Sequence, residues 1–175
     1  MAKRISMRDY QAALSERLKS AALVAATNTA LGVAVGDERW LVAMQDVSEV
    51  LPVPELTPVP LTDYWFRGVA NVRGNLYSIT DFSAFLGGAR TPPGLDTRML
   101  LAGQRLGINS GLLVKRMLGI KNMADFEPVE ADPESTASHL HLWVAGTYKD
   151  AQGAKWHELN LRELVRDDRF LQIAG

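Results

Sequence analysis

The chain has 175 residues, of which 47% are hydrophobic and 22% charged, a composition typical of a globular protein and not of a disordered one. Its 19 basic and 20 acidic residues give a formal net charge of −1, which argues against binding of nucleic acid over the whole surface. Cysteine is absent, which excludes disulfide bonds, a thiol nucleophile and cysteine-ligated metal centres.

The first segment, residues 1–28, differs from the rest, and we predict a helix over 3–26. Apolar residues recur there at helical spacing, and neither Gly nor Pro interrupts them. Two interpretations stay open: a helix packed on the surface of the remaining chain, and a docking arm for a partner. No apolar run is long enough to span a membrane, and acidic residues interrupt any signal-peptide core. These features indicate a soluble, unprocessed protein, and the absence of cysteine fits the cytoplasm.

From residue 29 onward the pattern changes to short β-like runs separated by tight turns. Four pairs of runs flank turns rich in Gly, Asp or Asn, where positive φ angles are expected. We therefore predict hairpins around the turns 36–39, 73–75, 103–105 and 149–153. Two proline-bearing connectors, 51–61 and 90–96, separate them, because proline cannot donate a hydrogen bond within a central strand.

Residues 29–88 and 97–172 repeat one order of elements: a hairpin, a connector, a second hairpin and a short helix. Neither half is long enough to bury a generous core by itself. We therefore predict a mainly β domain over 29–175, built as two small β-barrels that share a core and ending in a short C-terminal helix.

Residues that carry chemistry are sparse and form no recognised catalytic pattern. His139 and His141 would lie on one face of a strand, but no third metal ligand stands at a convincing spacing. Phosphate-binding loops, nucleophile elbows and zinc-protease motifs are missing. Asp81 ends a strand before a short helix, where an N-cap is the default role of aspartate. Three hypotheses remain open on this basis: a non-catalytic adaptor, a metal-dependent hydrolase that uses the two histidines, and a small β-barrel that binds nucleic acid.

The most informative segment is residues 65–87, WFRGVANVRGNLYSITDFSAFLG. It resembles the signature of CheW-like domains, the coupling proteins of bacterial chemotaxis. In that signature an Arg-Gly hairpin is followed by a strand ending in Asp and a short helix ending in Leu-Gly. The resemblance continues through 40–51 and 99–114 and covers about residues 29–172. The run 68–74, the N-terminal extension and the ending 167–175 resemble the twitching-motility branch of the family.

This resemblance implies two five-stranded barrels, no cofactor and no enzymatic activity. It implies a scaffold that joins a methyl-accepting receptor to a histidine kinase of the CheA kind, in the cytoplasm at membrane receptor arrays. In the twitching-motility branch, the output controls extension and retraction of type IV pili. Neither binding of nucleic acid nor direct insertion into the membrane is expected.

The resemblance also assigns roles to individual positions. Residues that fall where the family makes partner contacts are Met44, Val47, Glu49 and Arg73. Motif positions that we interpret as structural are Gly68, Asn71, Gly74 and Asp81. We expect Arg73 at the tip of a hairpin, either paired with an acid such as Glu49 or offered to a partner.

Two positions depart from the family pattern. Ser78 stands where the family usually has proline, a change that should be tolerated if the position lies at a sheet edge. Lys115 stands where the family usually has aspartate, which reverses a charge near the expected partner surface and leaves the contacts there open.

Overall fold

The structure is a computed structural model, and it describes residues 11, 15–17, 28–130 and 143–175. Gln11 and residues 15–17 are helical and exposed, while the rest of the predicted helix over 3–26 lies outside the described residues. No helix in the described ranges is long and apolar enough to cross a lipid bilayer. The strands are β1 (Thr29–Val35), β2 (Glu38–Ala43), β3 (Val47–Pro52), β4 (Phe66–Val72), β5 (Asn75–Asp81), β6 (Arg98–Ala102), β7 (Ser110–Val114), β8 (Arg116–Asn122), β9 (Glu127–Pro128), β10 (Val144–Lys149) and β11 (Lys155–Leu159). The one-turn helices are α1 (Phe82–Phe85), α2 (Leu161–Leu164) and α3 (Asp168–Leu171).

The strands form two sheets, which confirms the prediction of a mainly β fold. The six-stranded sheet has the order β8-β1-β2-β11-β10-β9, and the five-stranded sheet has the order β3-β6-β7-β5-β4. In the described residues both are open rows of strands and not the closed five-stranded barrels that the resemblance implied. In the five-stranded sheet, Thr57 of the proline-bearing connector forms a bridge with Val69 of the edge strand β4. The short strand β9 adds a sixth member to the other sheet.

Each half of the sequence repeat contributes strands to both sheets. In the first half, β1 and β2 lie in the six-stranded sheet and β3 to β5 lie in the five-stranded sheet. In the second half, β6 and β7 lie in the five-stranded sheet and β8 to β11 lie in the six-stranded sheet. Two parallel pairings join the halves: Trp40 of β2 lies opposite His157 of β11, and Ser78 of β5 lies opposite Ser110 of β7. The two sheets therefore do not correspond to the halves 29–88 and 97–172, as one barrel for each half would require.

Three of the predicted hairpins are present as β1–β2, β4–β5 and β10–β11. The hairpin expected around 103–105 is wider than predicted. Residues Gln104–Leu106 form a 3-10 turn, and the returning strand begins at Ser110. Leu106 and Ile108 are half-buried against the core, which gives this loop an apolar pattern similar to that of a strand.

One hydrophobic core is shared by the two sheets. It contains Trp40 from the six-stranded sheet, Leu100 from the five-stranded sheet and Phe82 from α1, all almost completely buried. Smaller clusters form around Met99 within the five-stranded sheet and around Trp156 within the other. Burial of side chains of this size contributes about 1.5–3 kcal/mol each, so the shared core holds the two sheets together.

Candidate partner-binding site

Arg73 and Gly74 form the two-residue turn of the β4–β5 hairpin. Their φ angles are 51° and 87°, and positive values at both positions are typical of a type I′ turn, whose twist matches that of the flanking strands. The Gly74 backbone N–H donates to the Asn71 side-chain oxygen at 2.8 Å. This bond braces the turn, which fixes the base of the Arg73 side chain at the tip of the hairpin.

The Arg73 guanidinium pairs with the Glu49 carboxylate through two hydrogen bonds. Nη1 donates to Oε2 at 2.8 Å, and Nη2 donates to Oε1 at 2.6 Å. The Arg73 side chain is still 74% exposed. An exposed pair of this kind contributes about 0–1 kcal/mol to stability. Because Glu49 lies on β3 and Arg73 follows β4, the pair also joins the two edges of the five-stranded sheet.

Met44 is the first residue of a 3-10 turn, Met44–Asp46, and Val47 begins β3 directly after it. The Met44 residue is 42% exposed, whereas Val47 is half-buried and packs against the shared core. A charge placed at Val47 would therefore disturb core packing as well as any partner contact. Of the four expected contact residues, the structure brings Glu49 and Arg73 together. Met44, which precedes Glu49 in the turn before β3, is exposed to solvent.

Gly68 lies where two backbone segments approach closely. Its φ angle is 117°, and a Cβ atom at this position would lie 2.1 Å from the carbonyl oxygen of Thr57. The next residue, Val69, exchanges two backbone hydrogen bonds with Thr57, at 2.8 and 2.9 Å. Only glycine leaves room for this crossing of the connector over β4.

Asp81 is fully buried and is the N-cap of α1. One carboxylate oxygen accepts from the Ala84 backbone N–H at 3.3 Å and from the Thr91 hydroxyl at 2.8 Å. The other accepts from the Thr91 backbone N–H at 2.7 Å and from Arg67 at 3.0 Å. A buried carboxylate needs this number of donors to offset the hydration that it has lost.

Sequence reasoning found the N-cap at Asp81 but missed its partners Arg67 and Thr91. The available signal was a charged residue within the otherwise mostly apolar strand β4, since such a residue needs an opposite charge when it is largely covered. The Arg67 side chain is 22% exposed and pairs with the carboxylate across the hairpin. Thr91 lies in the second proline-bearing connector, and no local sequence pattern indicated that it would reach Asp81.

The two departures from the family pattern have different structural settings. Ser78 is not at a sheet edge: β5 lies between β4 and β7, and the Ser78 backbone N–H donates to the Asn109 carbonyl oxygen at 3.0 Å. Lys115 lies 3.4 Å from the Asp37 carboxylate and is exposed. The first departure therefore supplies a backbone hydrogen bond that proline could not make. The second makes a solvent-screened ion pair with Asp37 and a hydrogen bond to the Gly36 carbonyl oxygen at 3.2 Å.

We expect Ser78→Pro to lower the free energy of unfolding by about 1–2 kcal/mol, because proline removes that N–H donor from the interior of the sheet. Ser78→Ala keeps the N–H group and should change stability by less than about 0.5 kcal/mol. Urea unfolding of both variants measures the difference. Equal stability of the proline variant and the parent would contradict the role given to this hydrogen bond.

One of the alternative functions, a metal-dependent hydrolase, depends on residues that the structure does not describe. His139 and His141 lie outside the described residues, so the structure does not test the hypothesis of a hydrolase that uses them. Among the residues that are described, no group of three or more His, Asp or Glu side chains could hold a metal ion. His157 is half-buried beside Trp40, with ring centroids 5.1 Å apart, and burial lowers the pKa of its imidazole. That environment indicates a packed histidine.

Comparison with known proteins points to one family. The model of the CheW-like domain matches residues 29–169. The chain is 30% identical to the protein PilI of Pseudomonas aeruginosa over 144 residues, which cover 82% of this chain and 79% of PilI. It is 32% identical to FrzA of Myxococcus xanthus over 108 residues, covering 61% of this chain and 67% of FrzA. It is 32% identical to the chemotaxis protein CheW of Rhizobium meliloti over 112 residues, covering 64% of this chain and 71% of that protein.

The fold agrees with this result. The crystal structure of the scaffolding protein TtCheW from Thermoanaerobacter tengcongensis superposes with a TM-score of 0.63 at 20% identity. The match covers 76% of this chain and 88% of TtCheW. The chain therefore belongs to the family of CheW-like domains, which are non-catalytic scaffold proteins of chemotaxis-type signalling.

Proposed function

We propose that this protein is a cytoplasmic adaptor that couples a methyl-accepting receptor to a CheA-like histidine kinase. The observation that carries the proposal is the family match over residues 29–169, which includes the whole Arg-Gly hairpin. Similarity to PilI supports an output on twitching motility and type IV pili. The adaptor would be recruited to receptor arrays through its partners.

The hairpin tip has the properties of a contact surface. The type I′ turn fixes the backbone, and Glu49 holds the guanidinium in one orientation, so little conformational freedom would be lost on binding. The N–H groups that do not bond Glu49 remain for a carboxylate or for helix-end carbonyl groups of a partner. Met44 supplies an exposed apolar side chain that adapts its shape to a partner.

We expect Arg73→Asp to weaken assembly with the receptor and the kinase at least tenfold, while the melting temperature stays nearly unchanged. A good charged contact is worth on the order of 2 kcal/mol in a complex, whereas the exposed pair with Glu49 contributes about 0–1 kcal/mol to the fold. Titration of the purified protein against the receptor signalling domain and the kinase regulatory domain of the same bacterium measures this effect. Arg116→Asp, the same charge change on the exposed edge of the six-stranded sheet, is the matched control.

A charge exchange separates the pair's role in the fold from its role in binding. The double variant Glu49→Arg, Arg73→Glu keeps an ion pair at the hairpin but reverses both charges that face a partner. We expect it to retain the parent stability and still bind at least tenfold more weakly. Recovery of full affinity would show that only the intact pair matters, and unchanged affinity of Arg73→Asp would remove Arg73 from the contact surface.

Twitching motility is tested in the source bacterium. Deletion of the gene should abolish or strongly reduce the twitching zone beneath agar, and the Arg73→Asp variant should fail to restore it at normal protein levels. A deletion strain that twitches normally but loses swimming chemotaxis would place the adaptor in a flagellar pathway.

A further inference from the structure

Two neighbouring grooves open beside the proline-bearing connector. The first has a volume of about 470 Å³ and extends from Leu56 past Leu61 to Arg90. The second has a volume of about 460 Å³ and extends from Leu56 past Leu95 to Arg98. Because Leu56 and Arg67 line both grooves, the two form one continuous surface. Apolar residues outnumber polar ones along both grooves, as in sites that bind peptide side chains, while polar atoms make up more of the exposed surface of the first groove.

This surface carries unbalanced positive charge. Arg90 and Arg98 make their hydrogen bonds to backbone carbonyl oxygens, and within the described ranges neither has a carboxylate within ion-pair distance. Arg67 differs, because it is paired with the buried Asp81. No acidic side chain lines either groove in the described part of the chain. An occupant with carboxylates would therefore be favoured by charge.

A strained leucine stands at the lip of the first groove. Leu61 has a φ angle of 58°, which leucine rarely adopts, and the residue is 88% exposed. The backbone around it is held in place: Thr62 forms a bridge with Ala174, and the Gly175 N–H donates to the Leu61 carbonyl oxygen at 3.3 Å. Strain that the surrounding structure maintains at an exposed apolar side chain indicates a binding contact.

We propose that the two grooves bind an acidic peptide segment of a partner protein, with its apolar side chains in the grooves and its carboxylates on Arg90 and Arg98. The chain's own N-terminal segment does not fit by charge, since residues 3–26 contain five basic and two acidic side chains. The surface is separate from the hairpin tip, because Arg67 and Arg73 lie at opposite ends of β4. The proposal does not depend on the receptor and kinase contacts proposed above.

The test uses the full chain and an unbiased library of 12-residue peptides displayed on phage. The selected peptide that binds best is then synthesised with a fluorescent label and titrated by anisotropy. We expect the selected peptides to combine leucine-like residues with Asp or Glu, and their affinity to fall as salt concentration rises. Arg90→Glu, Arg98→Glu and Leu61→Gly should each weaken binding at least tenfold.

The variants also separate binding from folding. Leu61→Gly should keep or raise the melting temperature, because glycine adopts positive φ freely. Arg116→Glu reverses an exposed charge on the six-stranded sheet, and Ile120→Ala removes an exposed apolar side chain from it. Both variants should bind as the parent does. Three results would overturn the proposal: no enriched peptide, enriched peptides without acidic residues, or full affinity of Arg90→Glu. A concentration-dependent dimer that the groove variants dissociate would also overturn it, because the grooves would then take a second copy of this chain.

Discussion

The Asp81→Asn substitution should lower the free energy of unfolding by about 3 kcal/mol. Each carboxylate oxygen of Asp81 accepts two hydrogen bonds. In asparagine an N–H₂ group replaces one of these oxygens, so the two groups that donated to that oxygen lose their acceptor. Arg67, largely covered, loses the charge that balances its guanidinium. Urea unfolding followed by the fluorescence of the four tryptophans measures the change.

Asp37→Asn is the matched control for this experiment. The Asp37 carboxylate also lies near a cation, Lys115, but its side chain is fully exposed. Removal of its charge should change stability by less than about 0.5 kcal/mol. If the two variants were equally stable, the buried network around Asp81 would not contribute to the fold in the way that its geometry indicates.

The Gly68→Ala substitution should lower the free energy of unfolding by about 3 kcal/mol or more. The added Cβ atom would lie 2.1 Å from the Thr57 carbonyl oxygen, so the connector must move away from β4. That movement breaks two backbone hydrogen bonds, each worth about 0.5–1.5 kcal/mol, and the positive φ angle adds about 1–2 kcal/mol of strain.

Gly74→Ala separates the two causes. Gly74 also has a positive φ angle, but its Cβ position has nothing within 4 Å. This variant should show the strain alone, about 1–2 kcal/mol, and retain a native circular-dichroism spectrum. A loss as large as that of Gly68→Ala would mean that backbone angle, and not the close approach of Thr57, makes glycine necessary at residue 68.

Features set by neighbouring residues could be predicted from the sequence. The turn of the β4–β5 hairpin follows from Gly74, because glycine adopts positive φ freely, and Arg73 beside it adopts a positive φ as well. The N-cap at Asp81 follows from its place between a strand and an apolar helical turn. A hairpin tip brings a long cation near the strands beside it, and for this reason the sequence allows Arg73 either to pair with an acid such as Glu49 or to face a partner.

Features that join distant segments could not be predicted in the same way. An alternating pattern identifies β2 and β11 as strands, but it does not say that Trp40 will lie opposite His157 in a parallel pair. The closeness of Thr57 to Gly68 and of Thr91 to Asp81 depends on the path of two proline-bearing connectors. The grooves around Leu56 are formed by the same connectors, so no motif in the sequence indicated them.

The exchange of strands between the halves has a consequence for biosynthesis. In the six-stranded sheet, β1 and β2 lie between β8 and β11. When the ribosome has released β1 and β2, it has not yet made β8 or β11. The five-stranded sheet can assemble earlier, because β3 to β7 are consecutive in the chain. Until β11 emerges, the first hairpin keeps an unpaired edge that exposes Trp40 and its neighbours to other nascent chains. Protection by a chaperone would therefore matter most for the hairpin that is synthesised first and completed last.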